Sequence, residues 1–393
     1  MTAVTDQPIL VLDGAERAAL AVTRSLGSRG IAVNVAGHCS TSLAGASRYC
    51  ARTITIANPA DSVASFTADV TRAARKGGCR LVLPLTDASL TALYHEDVTA
   101  EFQVLGPPRL AYARAADKAT AGSLSKALGI AVPNSIQAIG PESVAAAVRR
   151  IGLPAIVKPQ FSRYVADDRI HRSEVTLISD STDLGHVLKQ PWVSRIACLV
   201  QQFVPGRGAG VFILFARSSR IATFAHRRLR EKPPAGGVSV LSESATPNAD
   251  LQTAADRLLN ALEWFGPAMV EFRIDPDGKP WFMEINGRFW GSLQLAIDCG
   301  VDFPWLFYQL GVGREVEPVT DYAVGRRLRW ELGDLDHLLL QLRGKGTAAT
   351  PAAKLRALGA FLNPVAGRPE VFRPDDPQPF FHELRTWIAG LRR

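Results

Sequence analysis

The 393-residue chain is poor in the features that mark several large protein classes. Its five cysteines stand far apart, at 39, 50, 79, 198 and 299, and no two form a CxxC pair. That argues against a disulfide framework and a zinc cluster and favours a reducing, cytoplasmic setting. The seven histidines form no HxxxH or HExxH pattern. No apolar run approaches the roughly 18 residues needed to cross a membrane. The amino terminus carries Asp6 and no basic segment, so a signal peptide is not expected. With 32 glycines and 25 prolines, collagenous and low-complexity readings both fail. Charged residues make up 21 % and hydrophobic ones 47 %, which excludes a mostly disordered chain.

What is present is a basic surplus of +8, concentrated locally. Arg217, Arg220, Arg227, Arg228, Arg230 and Lys232 face only Glu231 within sixteen residues. So tight a cluster points to a small anionic ligand rather than to nucleic acid. Residues 8–115 alternate short apolar strands (8–12, 31–35, 53–56, 80–84) with helical stretches, the pattern of a parallel sheet covered by helices. The first turn reads Asp13-Gly14-Ala15-Glu16-Arg17 and lacks GxGxxG, so a nicotinamide-dependent enzyme using this sheet is a poor reading. From about residue 117 an α+β pattern follows. Helices are expected over 117–128, 141–151 and 249–263, and strands over 154–159, 174–178, 197–203, 210–216, 220–226, 268–274 and 280–285. Beyond 325 the chain reads as helical. A stretch with Pro364, Pro369, Pro374, Pro377 and Pro379 precedes an amphipathic helix carrying Phe380, Phe381, Leu384, Trp387, Ile388 and Leu391. Flanked by Arg385, Arg392 and Arg393, that helix fits docking on the protein body better than an anionic membrane surface.

The chemistry concentrates in two adjacent strands, Met269–Asp275 and Pro280–Arg288, joined by Asp275-Pro276-Asp277-Gly278. Glu271 and Glu284 fall on neighbouring strands, and Glu284 and Asn286 share a face by the two-residue period. Two carboxylates and an amide oxygen are hard donors suited to Mg²⁺, with Mn²⁺ as the alternative, and such a site takes phosphate oxygens to complete its shell. Lys158 ends an apolar strand, where a lone ammonium is costly without an anion. Lys118 opens a helix. Gln201-Gln202-Phe203-Val204-Pro205-Gly206 ends a strand in a turn that can offer backbone groups to an adenine edge. His226 reads as structural and Cys299 as a core thiol. The tryptophans at 264, 281, 290 and 305 read as core rather than as a stacking platform.

These motifs resemble the ATP-grasp superfamily, which includes biotin carboxylase and D-alanine–D-alanine ligase. The likeness runs from Asp117-Lys118 and Gly129-Ile130-x-x-Pro133 through Lys158-Pro159 and the Gln201–Gly206 hinge to Glu284-Ile285-Asn286-x-Arg288. Residues 225–243 and Asn286–Leu293 resemble a bacterial branch of predicted carboxylate–amine ligases. The resemblance implies a Rossmann-like pre-ATP-grasp domain (1–115), a two-lobed ATP-grasp domain (116–322) and a helical C-terminal extension (323–393). It implies ATP-dependent activation of a carboxylate as an acyl phosphate, attack by an amine or thiol, small-molecule substrates and a homodimer. By resemblance, Lys118 and Lys158 hold phosphates, and Gln202, Phe203 and Val204 line the adenine. Glu271, Glu284 and Asn286 bind the metal, and Arg288, Arg228 and Arg273 serve the acyl phosphate or the acid. Three departures stand out: no glycine between Gln160 and Arg172, Gln202 where glutamate is common, and Gly287 in place of proline. Arg163, Arg169 or Arg172 are candidates to replace the missing phosphate loop. That loop's absence also motivates the alternative of a non-catalytic nucleotide-binding or regulatory protein.

Overall fold

The computed structural model describes residues 6–96, 98, 101–234, 236–344, 350–363 and 367–391. Five parallel strands, β1 (Ile9–Val11), β2 (Val33–Gly37), β3 (Cys50–Thr55), β4 (Leu81–Leu83) and β5 (Gln103–Val104), form a sheet in the order β3-β2-β1-β4-β5. β1 is wholly apolar because both of its faces are covered. Ile9 and Val11 pack toward the helix Arg17–Gly27, and Leu10 and Leu12 toward the helix Val63–Gly77. Strand order reverses between β1 and β4, which leaves a crevice at their carboxyl ends. There Asp13, at φ +59°, accepts hydrogen bonds from the amides of Leu85 and Thr86 and from the Ser89 hydroxyl. This fixes the start of the helix Asp87–His95 and aims Asp87 at the rest of the molecule.

Next come β6 (Ser135–Ala138), β7 (Ala155–Pro159), the hairpin of β8 (Arg163–Ala166) and β9 (Arg169–Arg172), then β10 (Thr176–Ile178) and β11 (Cys198–Gln202). β10, β7, β11 and β6 form an antiparallel sheet in that order. Ala138, Ala155, Val157, Cys198 and Val200 pack against Val144, Val148 and Val187 of the covering helices. By the alternation of strand side chains, Gln137, Lys158, Leu199 and Gln201 point the other way, Lys158 and Gln137 both registering with Leu199.

The third layer contains β12 (Arg207–Ala216), β13 (Ser219–Phe224), β14 (His226–Lys232), β15 (Val238–Ser244), β16 (Gly266–Ile274) and β17 (Pro280–Asn286). β13-β12-β16-β17 make one sheet, whose Val211, Ile213, Phe215, Val270 and Phe272 bury against Leu251, Ala255 and Leu258 of the helix Ala249–Ala261. β14 and β15 leave it and join β18 (Arg327–Arg329) and β19 (Arg368–Pro369). The expected strand over 220–226 is thus two strands, broken at Ala225, whose amide donates to the Tyr322 hydroxyl.

The carboxyl-terminal stretch is helical over Glu331–Leu342, Pro351–Leu362 and Gln378–Leu391. It straps the two ends of the chain together. Arg24 of the first helix pairs with Asp376 at 2.9 Å, and Arg17 pairs with Glu370. The last helix rests on the body. Trp387 Nε1 donates to Asp336 at 2.9 Å, Trp330 Nε1 donates to Glu383 at 2.8 Å, and Phe380 packs on Phe372. Phe381, Ile388 and Leu391 face solvent. Pro364, Arg392 and Arg393 lie outside the described residues. Among those described, no helix is long and apolar enough to cross a membrane.

Candidate active site

The β16–β17 turn closes through Asp275, whose carboxylate accepts from the amides of Asp277 and Lys279 and from Trp281 Nε1. Gly278 takes φ +84°, a conformation that favours glycine. The resulting register sets Glu271 opposite Glu284 and Met269 opposite Asn286, with a bulge just after Glu271. Like charges directly across a ladder repel. Burial, then the charge of Glu284, hold the Glu271 carboxyl well above the usual carboxylate range, against Arg228, Arg288 and Asn286. Asn286 Nδ2 donates to Glu271 Oε1 at 3.0 Å, and an Arg228 nitrogen lies 3.9 Å from Glu271 Oε2.

Arg288 spans the two halves of the molecule. It donates to Asn286 Oδ1 at 3.3 Å and to the Phe289 carbonyl at 3.1 Å, and Nε donates to Asp87 at 2.9 Å. Burial disfavours the cation, but Asp87, by charge and hydrogen bond, more than offsets this and leaves the guanidinium above its ordinary range.

Both predicted lysines are buried, each 7 % exposed. Lys118 begins the helix Lys118–Ala127, capped by Asp117, which accepts from the amides of Ala119 and Thr120 and from Gln160 Nε2. Its ammonium donates to Ser162 Oγ at 2.6 Å. Burial lowers Lys118, opposed by Glu284, Asp87 and Asp117. Burial pushes Lys158 down to about 8; Glu284 opposes the shift and Lys118 adds to it. Glu284 is therefore the acid that acts on both lysines.

Two cavities adjoin this cluster. One, of about 870 Å³, is lined by Lys118, Lys158, Gln201, Gln202 and Trp281; the other, of about 820 Å³, by Arg228, Glu271, Arg273 and Gly208. Met283 lines both. Each has the size of a small-molecule site. Glu271, Glu284 and Asn286 are hard donors of the kind that hold a cation alongside phosphate oxygens, but Asn286 presents its Nδ2 to Glu271 and its Oδ1 to Arg288, and among the described residues no cluster of three or more His, Cys, Asp or Glu stands ready to hold a metal.

The structure brings Lys118, Lys158, Glu271, Glu284, Asn286, Arg228 and Arg288 together. The hinge residues divide. Gln202 lines the first cavity beside Gln201, whose Nε2 donates to Ser135 Oγ at 2.8 Å. Phe203 and Val204 lie outside that lining: Arg273 Nε donates to the Val204 carbonyl, and its guanidinium sits 5.5 Å over the Phe203 ring. Arg273 thus braces the hinge while lining the second cavity. Most of the basic cluster is neutralised locally. Arg227 pairs with Glu243, Arg230 with Asp334, Lys232 with Asp336 and Arg220 with Asp256. His226 is structural: it stacks on Phe212 at 4.8 Å, meets Ser292 Oγ at 2.9 Å, and burial pushes it down to about 3. Cys299, Trp264 and Trp290 are core residues, whereas Trp281 lines the first cavity. Sequence reasoning missed Asp87, Ser162 and Gln201. Only Gln201 had a local signal, its place in the Gln-Gln strand end.

Solved proteins share this fold. A biotin carboxylase from Campylobacter jejuni, solved as an ATP-analogue complex, superposes over 83 % of this chain and 75 % of its own, with TM-score 0.64 and 14 % identity. N5-carboxyaminoimidazole ribonucleotide synthetase from Thermus thermophilus superposes over 81 % of each chain, with TM-score 0.61 and 18 % identity. The chain has the ATP-grasp fold. In sequence, residues 195–332 match the family described as ATP-grasp in the biosynthetic pathway with Ter operon. A D-alanine–D-alanine ligase from a Synechococcus species is 29 % identical over a 195-residue alignment that covers 47 % of this chain and 58 % of that relative's length. The expected resemblance to ATP-grasp proteins is borne out.

Proposed function

We propose that the protein is an ATP-dependent ligase joining a carboxylate to an amine, with Mg²⁺ or Mn²⁺ as the divalent ion. The observation that carries this reading is the position of Glu284, which acts electrostatically on both buried lysines and registers directly with Glu271. Two buried ammonium groups sharing one carboxylate, itself across the ladder from a second, suit a metal-bound triphosphate. Lys118 and Lys158 would hold its phosphates, and Gln202 would accept from the adenine amino group. Glu271, Glu284 and Asn286 would hold the divalent ion, which when bound neutralises phosphate charge.

The reaction balances in two steps. A substrate carboxylate oxygen attacks the γ-phosphorus, and ADP departs as the acyl phosphate forms. The amine then attacks the acyl carbon, phosphate leaves, and the amine loses a proton. Such transfers need positioning and charge stabilisation rather than a protein nucleophile. Arg228, next to Glu271, and Arg288, bonded to Asn286, would neutralise the acyl phosphate; Arg273 would act through the hinge and on the acid in the second cavity. We place the pre-ATP-grasp domain at 1–115, the two-lobed ATP-grasp domain at 116–322 and the helical extension at 323–393, in a cytoplasmic homodimer.

The test is an ADP-release screen over amino acids, dipeptides and hydroxy acids paired with amines and thiols. Release that requires both partners and fails in Glu284→Gln supports the proposal. Nucleotide binding with no release from any pair would turn the reading to a regulatory nucleotide-binding protein.

A further inference from the structure

The segment that lacks glycine is a docked hairpin. β8 and β9 turn through Asp167 and Asp168 at φ +51° and +57°, the two left-handed residues that a tight hairpin requires. Its tip is bound to the amino-terminal sheet unit. Asp168 accepts from Ser62 Oγ at 2.7 Å and from the Ala64 amide at 3.0 Å, at the start of the helix Val63–Gly77. The Ile170 amide donates to the Pro59 carbonyl at 2.9 Å, and the Ile170 side chain joins that unit's core with Phe66 and Val63. Its root is bound as well: Ser162 accepts from Lys118, and Ser173 Oγ donates to the Phe161 carbonyl. A strand pair held at both ends offers fixed side chains rather than a sweep of backbone amides.

Of its three arginines, Arg163 is the least exposed. Arg169 is exposed, and Arg172 is about 70 % exposed with Glu174 at 3.8 Å. Arg163 is half-buried, and among the described residues its side chain makes no hydrogen bond or ion pair. It stands directly across the ladder from Arg172, a like-charge pairing that destabilises a hairpin. Its charged surroundings are Asp87, which attracts it, and Arg172 and Arg288, which repel it. The Asp87 carboxylate is already engaged by Arg288. Arg163 is thus a partly desolvated cation with no counter-ion of its own, next to the Arg288 cluster and one residue from the serine that holds Lys118.

We propose that Arg163 binds the γ-phosphate of the nucleotide, doing with one guanidinium what a glycine-rich loop does with backbone amides. This rests on the nucleotide reading above. The planar fork suits a phosphate with two free oxygens.

The test is calorimetric binding of β,γ-imido-ATP and of ADP, each with Mg²⁺, to the full chain and to Arg163→Ala, Arg163→Lys and Arg169→Ala. Arg163→Ala should lose roughly 10- to 100-fold in affinity for the triphosphate, the range of a charge-assisted contact, with ADP affinity unchanged. Arg163→Lys should keep part of it, and Arg169→Ala all of it. The melting temperature of ligand-free Arg163→Ala should be unchanged or raised, whereas a merely structural arginine would lower it. Equal losses for both nucleotides, or none, overturn the proposal and leave the ligase reading standing. A wild-type chain that binds neither nucleotide overturns that reading first.

Discussion

Replacing Lys158 by methionine should stabilise the ligand-free protein while removing its response to nucleotide. Burial brings this lysine from an ordinary 10.5 down to about 8. The unfolded chain keeps the proton between those values and the folded chain does not. Stability therefore rises with pH across roughly 8 to 10.5, and below 8 the penalty is fully present. At about 1.4 kcal/mol per pH unit, the buried charge costs about 3 kcal/mol at pH 7. Methionine fills a similar volume without a charge. The attraction of Glu284 is already contained in that lowered value, so the net gain is about 2–3 kcal/mol, or roughly 2–4 °C in melting temperature for a chain of this length. Thermal unfolding at pH 7, with and without Mg²⁺ and ATP, reads both halves of the prediction. Lys158→Met should melt higher than wild type when free, show no upward shift with nucleotide, and lose the rise in stability between pH 8 and 10.5. A variant that melts lower than wild type in the absence of ligand would falsify the picture of an ammonium strained for want of an anion.

Four further outcomes follow from the same geometry. Glu284→Gln should lower ADP release at least about tenfold, through loss of hard-donor charge next to both lysines. Asp87→Asn, which leaves Arg288 without its counter-charge, should reduce turnover roughly tenfold with ADP affinity unchanged, measured by steady-state kinetics beside calorimetry. Asp334 is 1 % exposed and accepts from Arg230 at 2.8 Å and Arg329 at 2.6 Å. Asp334→Ala strands both cations and should cost about 3–5 kcal/mol in urea denaturation. Asp168→Ala should raise deuterium uptake across 163–172 and at the start of the helix Val63–Gly77, with no change in the β16–β17 strands; uniform uptake over the chain would contradict a localised clasp.

The legible parts of this molecule were those in which chemistry and spacing coincide. Alternation along Glu284-Ile285-Asn286 and the Asp275–Gly278 turn were enough to align the carboxylates, because strand period and turn chemistry are local. Lys158 stood out as a charge in an apolar strand. The partners of Arg288 and Lys118 were not legible. Asp87 lies 201 positions from Arg288, and Ser162 lies 44 from Lys118. Nothing in the residues around Asp87 tells it apart from an ordinary acid in a helix's first turn. The basic run 217–232 read as a ligand surface because Asp334, Asp336 and Glu243, which neutralise much of it, arrive from other elements. The hairpin at 163–172 was hidden for another reason: its turn uses two aspartates where glycine or asparagine gives the usual signal.

The strap between chain ends also sets an order of assembly. Arg24 lies in the first helix, yet its carboxylate is added 352 residues later. At translation rates of about 5–20 residues per second, this leaves roughly 20–70 s in which the helix exists without that partner. The leading helix therefore exists for that interval with one face still wet, and the contact closes when residues 370–376 come back to it.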